Sequence, residues 1–480
     1  MTELAFLPAA EQARLVRERL VSPVDLVEAS LARIERLDGE LGAFVTVRAE
    51  EALAEARARE RQPAEAPFHG VPVALKDLDT TAGIRTTFSC PAYAEHVPDF
   101  DLTHVRRTHE AGFVVVGKTN TPEFGTTAFT DSALNGPCRT PYDLRLNAGG
   151  SSGGAAAAVA AGLVPLAQGS DGGGSVRIPA SCCGVLGLKP SRGRISNAPF
   201  VPGIGLGTTG PLARTTADAA AYLDAVSGYE WGDPFLATPP DRPFAEEVGA
   251  DPGRLRVALT TTPPLPVEID SACVAAAREA AELLASLGHE VVEAAPDWGD
   301  ERLMEDFLPV WQVIPALYPL PDPNVLSPLN QWFLARAAEA GSVEYAGAVS
   351  RLQLRARAIV AFWQDVDLLL TPTLALLPQP VGWETEPDDP RAQFDRAAAF
   401  TPFTAAFNVT GQPAVSLPLH WTEHGLPVGV QLVGPPAGDA LLVRVAAQLE
   451  AARPWADRRP QVEGTKEGRP GRQTAPRTSL

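Results

Sequence analysis

Residues 149–175 read GGSSGGAAAAVAAGLVPLAQGSDGGGS. Two glycine-rich loops, 149–154 and 169–175, each carry serines. Between them the sequence predicts an alanine-rich helix to about residue 161 and a buried strand over Leu163–Gln168. Glycine permits positive φ and close backbone approach, so successive N–H groups can converge on one oxygen. Neither loop holds a lysine, and a Walker-type phosphate cradle needs one. Serines in both loops point instead to a nucleophile facing an oxyanion site.

The pattern continues on either side. Upstream, Ser22 is an N-cap, Pro23 opens a helix, Val24, Val27, Leu31 and Ile34 line one face, and Gly39 is the expected stop. A charged helix is expected at about 48–61. Apolar strands follow at Val71–Leu75, ending on Lys76, and at Phe113–Gly117. Downstream, 255–260, 271–287 and 290–294 read as strand–helix–strand, with later strands at Val366–Leu370, Ala414–Leu417 and Val428–Val433. Such alternation predicts an α/β fold whose large mixed sheet is covered by helices on both faces. Six prolines among Trp311, Tyr318, Trp332 and Phe333 predict an irregular covering segment over 299–335, and Gly464–Leu480 reads as a loose tail.

Composition closes off several classes. Lys+Arg 40 against Asp+Glu 58 gives a net charge of −18, the opposite of a nucleic-acid binder. The chain has 45% hydrophobic and 20% charged residues, enough for a large core. No apolar run reaches membrane-spanning length, and the start MTELAFLPAAEQARLV lacks a secretory pattern. Cys90, Cys138, Cys182, Cys183 and Cys273 show no CxxC spacing, so neither disulfides nor a metal site is expected. Adjacent Cys182 and Cys183 read as buried small hydrophobes. These features predict a cytoplasmic protein that binds neither nucleic acid nor membrane and uses no metal or cofactor.

Two motif matches compete for attention. Gly150-Ser-Ser-Gly-Gly154 satisfies G-x-S-x-G, which would make Ser152 the nucleophile of an α/β-hydrolase elbow with a downstream histidine. Only His289, His420 and His424 follow it, and residues 139–148 do not read as the strand an elbow needs. Gly205-Leu-Gly-Thr-Thr-Gly210 satisfies G-x-G-x-x-G, but Pro211 follows at once, against a dinucleotide site. With no histidine well placed, a lysine held neutral by burial can activate a serine. The chain has only four lysines; Lys76, Lys118 and Lys189 are candidates that composition does not separate.

The chain resembles the amidase signature family. The likeness is densest at His69–Asp77, Gly117–Phe124, Gly149–Gly154, Gly169–Pro179 and Gly184–Pro190, and extends through Phe403–Pro418 and Gly425–Gly434. It implies a Ser-Ser-Lys triad: Ser175 as acyl-forming nucleophile, Ser151 as a bridging serine on a cis peptide bond, and Lys76 as base. It further implies an oxyanion hole from the backbone of Gly172, Gly173, Gly174 and Ser175. Asp171, Arg177 and Ser152 match supporting positions, and Gly125 a pocket wall. Family members often carry Thr or Ile where this chain has Gly172, a departure that predicts a more flexible loop and a more open site.

The expected organisation is an N-terminal helical part (1–62), a core with the catalytic loops (63–224), a divergent cap (225–355), the rest of the core sheet (356–458) and a flexible tail (459–480). Trp311 and its aromatic neighbours suggest an apolar substrate pocket. The implied activity is hydrolysis of small amides, anilides, esters or carbamates (urethanes) through an acyl-enzyme, by a monomer or homodimer. Three alternatives stand beside it: a glutamine-hydrolysing subunit of a tRNA-dependent amidotransferase, an esterase using Ser152, and a non-catalytic binding protein on the same scaffold.

Overall fold

The computed structural model describes residues 2–200, 205–299 and 302–462. Gly464–Leu480, expected as a tail, therefore lies outside the described residues. Eleven strands among the described residues form one mixed sheet in the order β1-β3-β2-β4-β6-β5-β10-β11-β9-β7-β8. They are β1 (Phe44–Val47), β2 (Pro72–Lys76), β3 (Val114–Thr119), β4 (Leu166–Asp171), β5 (Leu186–Lys189) and β6 (Thr208–Ala213). The others are β7 (Arg256–Leu259), β8 (Glu290–Glu293), β9 (Leu368–Pro372), β10 (Ala414–Trp421) and β11 (Pro427–Val433). β2 runs parallel to both β3 and β4, whereas β4 and β6 are antiparallel.

Strand alternation sorts side chains into two cores. Val73 and Leu75 of β2 face one, with Val115 and the helix Ser271–Ser286; Ala74 faces the other, with Val114, Val116 and the helix Gly153–Ala160. Every residue of Gly153–Ala160 is buried. Its small side chains let it lie close to its neighbours: a Cβ at Gly154 would stand 2.3 Å from the Asn120 nitrogen. The glycine-alanine run is thus a packing requirement that brings the 149–154 loop to the end of β2, where Ser151 meets Lys76.

Helices Thr2–Ala5 and Ala9–Arg17 come first, and the helix expected at 22–39 differs from expectation only at its end. It spans Pro23–Leu41, opens with the Ser22–Asp25 capping box, and passes through Gly39 to stop at Gly42, whose φ of 64° suits glycine. The 299–335 stretch is more regular than expected, containing helices Leu303–Trp311 and Pro328–Glu339. Pro315, Pro323 and Pro328 sit at the first positions of helical turns, where a missing N–H costs nothing. Pro309 alone falls inside a helix, which ends two residues later. The expected cap at 225–355 also divides. Its strands β7 and β8 complete the main sheet's edge, while the helices from Leu303 to Ala361 do the covering.

Candidate active site

Lys76 ends β2 and is fully buried. Its backbone N–H donates to Gln168 Oε1 at 3.0 Å. Its Nζ lies 2.7 Å from Ser151 Oγ, 3.1 Å from Ser170 Oγ and 3.3 Å from the Ser170 carbonyl. Burial pushes the ammonium down to about 7, against the opposing pull of Asp79 and Asp171. Lys118 and Lys189 are also pushed down by burial, to about 8 and about 7, so titration does not single out one lysine. Geometry does. Lys118 is held by the Asp79 carbonyl and the hydroxyls of Thr81 and Thr86, and Lys189 by the Pro190 carbonyl at 3.0 Å. Of these three lysines, only Lys76 is bonded to serines.

Ser151 follows a cis peptide bond from Gly150. Gly125 lies against it: at φ +70° a Cβ there would stand 3.1 Å from Ser151 Oγ and 2.6 Å from Leu78 Cδ1. Ser175 closes the second glycine loop, and its carbonyl accepts the Ser152 N–H at 3.1 Å, tying the two loops together. Ser152 is fully buried, with its Oγ donating to the Ser170 carbonyl at 3.2 Å. His289 bonds Gln448, His420 bonds Glu279 and His424 is exposed, so no downstream histidine meets Ser152.

Asp171 and Arg177 are fully buried and joined twice, at 3.0 and 2.9 Å. The Arg177 guanidinium also reaches the Thr404 carbonyl, Gln431 and Asn408. Burial would raise the Asp171 carboxyl, but Arg177 overrides it and holds the group well below the usual carboxylate range. The same carboxylate accepts the Gly174 N–H at 2.8 Å and the Val176 N–H at 3.1 Å. The Gly174 N–H, expected among the oxyanion donors, thus donates to the Asp171 carboxylate. The N–H groups of Gly172, Gly173 and Ser175 have no acceptor among the described residues.

A cavity of about 1000 Å³ reaches Ser151, Ser170, Gly172 and Ser175, and is walled by Phe124, Tyr318 and Trp311. This is the upper end of the small-molecule range. Of the expected pocket aromatics, Trp311 and Tyr318 line it; Trp332 packs instead against Phe333 and Phe394 inside the covering layer. Ser170 and Gln168 were not anticipated from sequence. They stand two apart on β4, the spacing that puts side chains on one face, and both bond Lys76.

The amidase family model matches residues 25–443. The 6-aminohexanoate-cyclic-dimer hydrolases of Pseudomonas sp. (strain NK87) and Paenarthrobacter ureafaciens are 40% and 39% identical over 481 residues, covering 95% of this chain and 96% of theirs. The structure of a 6-aminohexanoate cyclic dimer hydrolase complexed with substrate superposes with a TM-score of 0.91 at 38% identity, over 96% of this chain and 100% of that one. A bacterial aryl acylamidase of the amidase signature enzymes superposes with a TM-score of 0.85 at 26% identity, over 94% of this chain and 97% of that one. Fold and relatives together define a hydrolase of amide C–N bonds. The chain belongs to the amidase signature family.

Proposed function

We propose that this amidase cleaves small, uncharged amides, anilides and carbamates through an acyl-enzyme on Ser175, with Ser151 and Lys76 moving the proton. The observation that carries the reading is the Lys76–Ser151 contact of 2.7 Å, made by a lysine that burial pushes down to about 7 and that lies behind the wall of the cavity that Ser151 and Ser175 border. Ser175 Oγ attacks the carbonyl carbon while its proton passes to Ser151, whose own proton goes to neutral Lys76. The free N–H groups of Gly172, Gly173 and Ser175 receive the oxyanion, each worth on the order of 3–4 kcal/mol. Collapse breaks the C–N bond, and Lys76 returns the proton through Ser151 to the departing nitrogen, which is too basic to leave as an anion. Water, deprotonated by the same relay, then cleaves the ester and frees Ser175. Deep burial of Ser152, bonded to the Ser170 carbonyl, weighs against the elbow alternative.

The charges on the large cavity weigh against an anionic substrate: Asp79, Glu95 and Asp171 line it, and no Arg or Lys does among the described residues. A glutamine α-carboxylate would find no cation there, which disfavours the amidotransferase alternative. The test is fluorophosphonate labelling followed by peptide mapping. One adduct on Ser175, lost in Ser175→Ala together with anilide hydrolysis, is expected; an adduct on Ser152 would overturn the assignment.

A further inference from the structure

Ser175 borders two cavities. Besides the large chamber, a recess of about 70 Å³ opens on its other side, behind Trp311. Trp311 and Ser175 line both spaces, so the indole is the partition between them. It is fixed there: Nε1 donates to the Thr126 carbonyl at 3.0 Å, and Phe307 stacks on the ring at 5.2 Å. Position 172 lets it sit so close. A Cβ on Gly172 would lie 3.2 Å from Trp311 Cη2 and 3.3 Å from Cζ3, inside ordinary carbon–carbon contact. The absent side chain at 172 and the large one at 311 are thus two halves of one arrangement.

The two spaces differ in chemistry. Ser151 and Ser170 line the chamber and not the recess. The recess is walled by Ile178, Leu265, Leu303, Met304, Phe307 and Phe394, and no charged residue lines it among those described. A departing nitrogen that receives its proton through Ser151 must lie in the chamber. The substituent on the other side of the carbonyl carbon then points into the recess.

We propose that the recess behind Trp311 is the acyl subsite, that it admits a short uncharged chain, and that the chamber holds the amine half of the substrate. The proposal rests on the Ser175–Ser151–Lys76 reading given above. A space of this size takes on the order of five water-sized groups, which matches a butanoyl to hexanoyl chain. Gly172 and Trp311 together are the specificity-determining pair.

The experiment is a series of 4-nitroanilides with acyl groups from acetyl to decanoyl, plus succinyl, assayed on wild type, Trp311→Phe and Trp311→Ala. Each variant is checked for folding by circular dichroism and for Ser175 by fluorophosphonate labelling. For wild type, kcat/KM is expected to peak between butanoyl and hexanoyl, to fall at least tenfold by decanoyl, and to be lowest for succinyl. Trp311→Ala, which joins the two spaces, should raise the decanoyl-to-butanoyl ratio at least tenfold, with Trp311→Phe between. A wild-type rate that keeps rising past octanoyl overturns the proposal without need of any variant. So does an unchanged ratio in a folded, labelled Trp311→Ala, or a length limit found on the amine side of N-alkyl amides. If Ser175 takes no label in wild type, the underlying mechanism falls, and the acyl subsite with it.

Discussion

Lys76→Met separates what the buried lysine does for catalysis from what it costs the fold. The folded chain gives up a proton that the unfolded chain keeps, because burial moves the group from 10.5 to about 7. Stability from this group therefore rises with pH across that window, and its cost is full below about pH 7 and gone above about 10.5. At roughly 1.36 kcal/mol per unit, the penalty is about 4 kcal/mol at pH 7 and about 1 kcal/mol at pH 9.5. Methionine keeps the length of the chain and removes the charge. It also removes the three contacts of Nζ with Ser151 and Ser170, together worth about 3 kcal/mol at roughly 1 kcal/mol each. The variant should thus be more stable than wild type by about 1 kcal/mol at pH 7 and less stable by about 2 kcal/mol at pH 9.5, with the curves crossing near pH 8. Lys118 and Lys189 titrate in the same range in both proteins and cancel in the difference. Urea unfolding midpoints of the two proteins from pH 6.5 to 9.5 measure it, with anilide turnover abolished throughout in the variant. A difference that stays constant over this range would refute the claim that Lys76 is held neutral by the fold.

The same shift governs activity. Proton acceptance needs neutral Lys76, so kcat/KM for a neutral anilide should fall tenfold per unit as pH drops below about 7 and level off above it; a flat profile from pH 5.5 to 9 contradicts the role. Arg177→Met leaves the buried Asp171 carboxylate without its cation and should cost about 3–5 kcal/mol of stability, seen as a lower urea midpoint. A wild-type midpoint would mean that Asp171 is braced by Asn408 and the loop N–H groups alone.

Much of the fold was legible because strands and helices here carry their periodicities openly. The run at 149–175 marked its loops, helix and strand by composition, and β4 emerged only shifted toward its glycine end, at Leu166–Asp171. The sheet's order was not legible. β1 joins at one edge through β3, and β7 and β8 at the other through β9, pairings between residues 70–75 positions apart in the first case and 111 apart in the second. The covering segment is more regular than its prolines suggest for a local reason: three of the six, Pro315, Pro323 and Pro328, begin helical turns, where proline is well suited.

The site divides in the same way. Composition left Lys76, Lys118 and Lys189 open, and only the resemblance implied Lys76; burial does not separate them either, since all three are buried and all are shifted down. Nor can a motif tell that the Gly174 N–H is taken by Asp171, a bond that exists only once the loop has closed on its carboxylate. Gly172 is the sharpest case. Read along the chain, a glycine there suggests a looser loop. In the fold, the space it vacates is filled by the Trp311 ring from 139 residues downstream, so the loop is covered rather than opened. A residue's smallness at an active site is therefore interpretable only with the group that takes up its room, and here that group is the wall that divides the cavities on either side of Ser175.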